Sequence, residues 1–507
     1  MAPSIDPMAG PGRERPLASR WVLCASLVAE GPLHLGGEAE TIVDAPILRD
    51  RVDGAPLLTG ASLAGALRSH LGDVVAGYRQ PEPAAVAELF GGARGDDEGA
   101  QSPLMVFDGL GRLPEGTAPE IRDGVAIDPA TGTAEEHKKF DIEVLPAGTR
   151  FPLHFELLIL AGVDEKRLLA LLAATLEGLE SGDVALGART SRGYGRCRAA
   201  GWTARRFDLT ARDGWLAWLV TEPAPRIAPT PAPEPDEGDR PTWSLREALR
   251  RAWPSAADLP TLDDRRRRFR AELDLRWPHG GLLVRSPGRE PGDADATQLH
   301  SGGDPVLPGT SLAGALRTRA LRIARLVCGA HGDARVEALF GPPPGASGRG
   351  SPRGRELFAS RLTVGESRLE GRCLLQGTRI RIDRFTGGVV DGALFDEQPL
   401  YRGRGRVTLE IREPEPGEVG LLLLVIKDLL TGDLPLGGTG SVGRGVTRGT
   451  ATLTWPEAGE SPHTLRWDPE ARVSEAEAER LNAEVATLHA RADGPTGAER
   501  AEGGGAP

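Results

Sequence analysis

Two glycine-rich loops in this chain have the residue types that hold phosphate. LGARTSRGYG (186–195) sets Gly187, Gly193 and Gly195 among Arg189 and Arg192, with Arg196 next in line. Glycine lets backbone approach a phosphate and turn successive amides toward it, and Arg adds a planar, permanently charged fork. LGGTGSVGRG (436–445) repeats the arrangement, with Arg444 between Gly443 and Gly445. Neither is a nucleotide-triphosphate loop: no Gly-Lys-Ser/Thr follows, and each loop comes after a helical pattern and before a strand pattern. A tight helix-to-strand turn would use the same glycines.

Three further segments carry chemistry-bearing residues. GASLAGALR (60–68) and GTSLAGALR (309–317) place Arg68 and Arg317 alike on two helices, with Ser62 and Ser311 where a hydroxyl can cap free amides. IVDAPILRD (42–50) holds Asp44, a carboxylate in a loop just ahead of the first helix. Its counterpart in GDADATQLH (292–300) is open. Counting back 16 residues from the helix glycine gives Asp293, and matching DAP to DAT gives Asp295. The third pair is VAIDPATGTAEEHKKFDIE (125–143) and IRIDRFTGGVVDGALFDEQ (380–398). Each reads as a strand entering a turn, and so as a protruding hairpin. Lys138 and Lys139 make the first partly basic; Arg381 and Arg384 do the same for the second.

These pairs share one period. Gly60 and Gly309 lie 249 residues apart, the two Leu-Phe-Gly words (89–91, 339–341) and the glycine loops 250, and Asp128, Phe140 and Gly148 lie 255 from Asp383, Phe395 and Gly403. The chain is a tandem duplication. At 507 residues it is long enough for two cores.

The elements that must position these residues recur in one order. A strand opens each copy (21–29; 270–277), then come a helix, the insertion, a strand and helix (151–160, 164–180; 406–412, 421–430), the glycine loop and a closing strand (196–202; 449–455). Strand–helix–strand twice over is the ferredoxin-like pattern, so the expected class is α+β, two tandem ferredoxin-like (RRM-like) domains, each with a glycine loop and an inserted hairpin. The expected limits are a disordered leader (1–17), a first domain (18–221), a Pro-rich acidic linker (222–265) with a short helix at 243–253, a second domain (266–456) and an acidic tail (457–507) helical over 473–493.

Net charge is −11, but segments 222–239 and 457–507 carry −4 and −6 of it. The two domains are near neutral, which leaves room for local basic surfaces. Nearly all the bases are Arg; the lysines are Lys138, Lys139, Lys166 and Lys427. The longest apolar run, 420–426, is too short for a membrane span, and the N-terminus lacks a signal-peptide core. Four scattered cysteines fit reduced thiols in a cytoplasmic protein.

Taken together, GPLHLGG (31–37), IVDAPILRD, the G-x-SLxGxLR helix, LFG, IDPATG (127–132) and the glycine loop with Ser-Arg-Gly-Tyr-Gly resemble the RAMP superfamily, specifically the backbone subunit of type III CRISPR effector complexes. The tandem arrangement is similar to the double-backbone subunits of type III-D variants. The resemblance implies binding to CRISPR RNA, a complementary single-stranded target RNA and other type III effector subunits, with no membrane partner. It implies RNA contacts from His34, Ser62, Arg68, Lys138, Lys139, Arg189, Arg192, Arg196, Ser311, Arg317, Arg381, Arg384 and Arg444. The hairpins would act as thumbs that displace one guide–target base pair each. Asp44, and Asp293 or Asp295, would support cleavage of the target, with a weakly held Mg²⁺ at Asp44. A purely structural RNA-binding subunit is the second expectation, and a precursor-processing endoribonuclease the third. Two departures stand out. Relatives carry Lys within the helix motif where this chain has Ala64, Ala66, Ala313 and Ala315, and the second copy lacks GPLHLGG.

Overall fold

The computed structural model describes residues 16–38, 43–92, 100–128, 131, 133–221, 243–286, 294–342, 358–374, 376–456, 462–471 and 473–490. Residues 1–15 of the expected leader, 222–242 of the expected linker, Asp293 and the chain end lie outside them.

Two compact units are present. The first runs to Arg122 and resumes over Ile142–Ala188 and Gly195–Arg266; the second holds Asp123–Asp141, Arg189–Tyr194 and the chain from Arg267. Folding units and sequence repeats therefore do not coincide. The arginine-bearing part of the first glycine loop and most of the first hairpin group with the second repeat.

In the first repeat β1 (Leu17–Ala29) is followed by α1 (Gly60–Ala76), the short β2 (Leu104–Val106), hairpin strands β3 (Glu120–Ile127) and β4 (Ala134–Val144), β5 (Arg150–Leu160), α2 (Glu165–Ser181) and β6 (Cys197–Asp208). The sheet order β2-β5-β1-β6 is the ferredoxin-like order, with all neighbours antiparallel. Alternation puts Trp21, Leu23, Leu27, Phe155, Leu157 and Trp202 on one face. In α1, Leu63, Leu67, Leu71 and Val74 recur at helical spacing and bury against that face. Each such leucine contributes about 2 kcal/mol. Cys197 sits in this core, where burial pushes its thiol up to about 12; all four cysteines are free.

Three boundaries differ from expectation. The cap of α1 is Thr59, whose hydroxyl accepts from Ser62 N at 3.2 Å, so the helix starts at Gly60 and not at Ser62. Past β6 the first unit continues with α3 (Arg212–Val220) and α4 (Leu245–Ala252). Leu245, Ala248 and Leu249 of α4 join the first core, so the end of the expected linker is folded domain. An amphipathic turn with a Ser244 cap overrides the polar composition around it.

The second unit repeats the plan with β7 (Arg268–Arg276), β8 (Ala296–Gln298), α5 (Gly309–Cys328), β9 (Leu362–Val364), β10 (Ser367–Cys373), hairpin strands β11 (Gln376–Ile382) and β12 (Val389–Gln398), β13 (Leu400–Arg412), α6 (Glu418–Leu430) and β14 (Arg448–Trp455). β13, β7 and β14 lie side by side, with β9 and β10 outside β13, which is the same order. This unit does not end near 456. β15 (His463–Trp467) pairs with β14, and α7 (Glu475–Ala490) packs on α6, with Leu488 fully buried and Glu484 accepting from Trp455 Nε1 at 2.8 Å. The start of the acidic tail thus completes the second domain. α5 begins after Pro308 with no side-chain cap, so Ser311 does not cap it.

Candidate nucleic-acid interface

The two glycine loops have nearly one backbone. Gly187 and Gly437 take φ of 78° and 79°, Arg189 and Thr439 take 60° and 58°, and Gly193 and Gly443 take 86° and 87°. A side chain in the left-handed region is strained, and strained backbone concentrates at binding loops. Each loop is pinned at both ends by matching bonds. Ala188 N donates to His34 O and Gly195 N to Pro32 O; Gly438 N donates to Leu283 O and Gly445 N to Gly281 O.

Within the second unit the part of the first loop over Arg189–Tyr194 packs on α5. Gly309 opens α5 with the Arg192 carbonyl oxygen 2.3 Å from where a Cβ would stand. That close approach explains the glycine of the helix motif. It also brings Arg192 beside Arg317. Arg192 Nη2 donates to Phe340 O at 3.4 Å, and Arg317 Nη1 donates to the same oxygen at 3.4 Å and to Gly341 O at 2.8 Å. Burial, then Arg317 and Arg189, push the Arg192 pKa down; burial lowers that of Arg317 too. Glu337 acts the other way on Arg317 and offsets part of that shift. Two desolvated like charges are costly without an anion between them. Arg189 lies against the Phe140 ring, 4.5 Å from its centroid.

Other expected RNA contacts are already committed. Arg68, equivalent to Arg317, makes a two-pronged pair with Glu82 at 2.6 and 2.8 Å. Arg196 pairs with Glu30, Lys139 with Asp123 and Lys138 with Glu135. His34 is 5% exposed with its Nδ1 2.7 Å from Glu143 O, so it braces the loop from inside. Arg444 is 2% exposed and its Nη2 donates to Glu397, itself 1% exposed, at 2.8 Å. His34 and Arg444 are structural, contrary to expectation. Ser62, Ser311, Arg381 and Arg384 are exposed.

The insertions are hairpins. In the second, Asp383 Oδ1 accepts from Phe385 N and Thr386 N at 2.8 and 2.7 Å, which locks the tip. Phe385 stands out at 91% exposure beside Arg384. Ile380, Ile382 and Leu394 are exposed on the same arm. In the first hairpin, Thr131 Oγ1 donates to Asp128 Oδ2 in the matching turn; Pro129, Ala130 and Gly132 lie outside the described residues. An arm with bare apolar side chains is built for a partner.

The carboxylates ahead of the helices now align. Ala45 bridges Ile142 in parallel, and Ala296 bridges Glu397 in parallel. Ile142 and Glu397 are 255 residues apart, the same offset as Phe140 and Phe395. Asp295 is therefore the counterpart of Asp44, and both are exposed. Asp396 N donates to Asp295 Oδ2 at 2.9 Å. The sequence reading passed over Asp396, although its Phe-Asp word was repeated.

A family model, the RAMP superfamily, matches residues 26–198 and 279–449. The chain belongs to the RAMP superfamily. The two matched stretches make it a tandem double RAMP protein, and RAMP membership makes it a CRISPR-associated RNA-binding protein. The superfamily includes some endoribonucleases. No curated protein matches the chain. Among the described residues no helix is long and apolar enough to cross a membrane.

Proposed function

We propose that this RAMP protein is a backbone subunit of a type III effector complex that holds guide RNA and cleaves complementary target RNA at one or two sites. The observation that carries RNA-backbone binding is the Arg192–Arg317 pair: two half-buried guanidiniums that converge on one carbonyl oxygen, and a left-handed glycine loop alongside. A phosphodiester supplies the missing negative charge and accepts from both forks. Arg189 beside this pair and the exposed Arg381 and Arg384 on the hairpin offer further phosphate contacts. Phe385, on a locked and exposed tip, suits insertion beside a base, because an aromatic face stacks on any base.

Cleavage is assigned to Asp44 and Asp295. The Asp396 amide orients one oxygen of Asp295 and leaves the other for the RNA. A target nucleotide displaced from the duplex is free to bring its 2′-hydroxyl in line with the adjacent phosphate. A carboxylate there can accept the hydroxyl proton. Among the described residues no group of three or more His, Cys, Asp or Glu converges, so the donor set fits no permanently held ion. It does fit Mg²⁺ bound by one carboxylate and completed by phosphate and water. Such an ion would neutralise charge on the scissile phosphate.

The test is target cleavage by the assembled complex with Mg²⁺. Asp44→Ala and Asp295→Ala should each remove a different cut, by about 100-fold or more, with guide binding intact, and Asp293→Ala should remove none. Cuts that persist in the Asp44→Ala/Asp295→Ala double variant would leave the chain a guide-binding scaffold.

A further inference from the structure

The two repeats tie down their candidate cleavage loops in different ways. In the first repeat Glu143 on β4 does it. Its amide N donates to Ala45 O at 2.9 Å, and its carboxylate accepts from Ile47 N at 3.0 Å and from Arg49 Nη2 at 2.5 Å. All three partners lie within five residues of Asp44. Glu143 therefore grips the Asp44 loop itself.

The second repeat has no acid at that place. The parallel bridges Ala45–Ile142 and Ala296–Glu397 put Gln398 where the first repeat has Glu143. The acid stands one residue earlier, at Glu397. Successive side chains of a strand point to opposite faces, so the shift turns the carboxylate inward. There it is 1% exposed and meets the glycine loop of its own repeat. Arg444 Nη2 donates to Glu397 Oε2 at 2.8 Å, and Arg444 Nη1 donates to Gly280 O at 3.3 Å. Arg285 Nη2 lies 3.5 Å from the other carboxylate oxygen.

The first repeat has uncharged residues at both places. The matching loop glycines put Tyr194 at the position of Arg444, and the bridges put Ile142 at that of Glu397; both are buried. Exchanging such residues for a buried ion pair brings little stability, because desolvation of the two charges offsets their attraction. What the pair adds is direction. A guanidinium fork holds a carboxylate in one orientation, and with it the end of β12. Two backbone contacts carry that orientation to the cleavage loop. Glu397 bridges Ala296, and the amide just before it, Asp396 N, donates to Asp295 Oδ2 at 2.9 Å.

We infer that the Arg444–Glu397 pair is a positioning device for the second cleavage site, through which the second glycine loop aims Asp295. The inference rests on the assignment of cleavage to Asp295. Neither Arg444 nor Glu397 needs to touch RNA; both act through the Asp396 amide. The first site, gripped by Glu143 on its own loop, has no such dependence on its glycine loop. The two cuts therefore respond differently to changes in the second repeat's interior.

The experiment measures single-turnover cleavage of a complementary target by the assembled complex with Mg²⁺. The first cut in each complex is the control for folding, guide binding and target capture. In Arg444→Met the second cut should slow by about 10-fold or more at saturating target. The first cut should keep its wild-type rate, and the target concentration for half-maximal rate should not move. Arg444→Met/Glu397→Leu packs the site with apolar side chains and should stay slow at the second cut although its interior charge is gone. Arg444→Lys keeps the charge without the fork and should regain part of the rate. A second cut at the wild-type rate in Arg444→Met/Glu397→Leu overturns the inference. So does equal slowing of both cuts, which makes the pair structural only. Asp295→Ala, run alongside, separates this inference from the cleavage reading. A second cut that survives Asp295→Ala sinks the assignment of Asp295 and the positioning device with it. One lost in Asp295→Ala yet intact in Arg444→Met/Glu397→Leu sinks the device alone.

Discussion

Arg192 and Arg317 converge on one acceptor, the carbonyl oxygen of Phe340, at 3.4 Å each. They lie 125 residues apart, one in the glycine loop of the first repeat and the other on the first helix of the second. A neutral carbonyl does not balance two guanidiniums, and Glu337 acts on Arg317 alone. An anion beside the pair could accept from both forks.

Replacing either arginine by Gln should reduce the salt slope of guide-RNA binding by about 0.7, and replacing both by about twice that. Lys at either site should restore the charge but not the two-pronged geometry, so affinity recovers only in part. Anisotropy with guide RNA at several salt concentrations checks both statements.

Gly309→Ala should damage RNA binding without touching an arginine, because the new methyl would meet the Arg192 carbonyl at 2.3 Å. Backbone on both sides cannot yield, and the expected loss of stability is about 1–3 kcal/mol. Gly314, one turn along the same helix, has nothing within 4 Å of its Cβ position. Gly314→Ala should stabilise by up to about 1 kcal/mol. Urea unfolding of the two variants should move in opposite directions.

Arg444→Met should act on stability and not on RNA. It strands Glu397 in the interior without its nearest counter-charge, a loss of about 3–5 kcal/mol. The Arg444→Met/Glu397→Leu double variant should recover most of it. Denaturant midpoints read the stability, and RNA affinity measured below the transition should stay at the wild-type value.

His70 should make the first unit acid-sensitive. Burial, then the Arg266 guanidinium 3.4 Å away, push the His70 pKa down to about 4. The unfolded chain takes up that proton near pH 6.5, and the folded chain resists until about 4. Stability is therefore full above about pH 6.5 and falls as pH drops toward 4, by about 3 kcal/mol for this group. The difference in unfolding free energy between wild type and His70→Gln should shrink over that window and be flat above it.

Much of the fold was legible because its signals are local. Alternation marks β1 and β7, the spacing of Leu63, Leu67 and Leu71 marks α1, and glycines mark the loops. The duplication was legible because both copies keep the same packing constraints, such as a helix that opens on a glycine with no room for a Cβ. The ends of the domains were not. α4 is short and α7 is mostly polar, and only burial of Leu249 and Leu488 against cores formed far away in sequence marks them as domain.

The sequence by itself determined two ferredoxin-like repeats, the family and the loops, helices and hairpins that carry the charged residues. Tertiary structure decided which of those residues are available. Arg68 and Arg317 occupy one position in two helices, yet Glu82 makes a two-pronged pair with the first while the second donates to backbone carbonyls. Arg189 and Arg444 lie in equivalent loops, yet one rests on the Phe140 ring and the other is locked to Glu397. Asp293 and Asp295 fit the spacing equally well, and the parallel bridge at Ala296 selects Asp295. A residue's type and position follow from the chain alone. Its counter-charge comes from strands and helices a hundred or more residues away, and an arginine's availability depends on that partner.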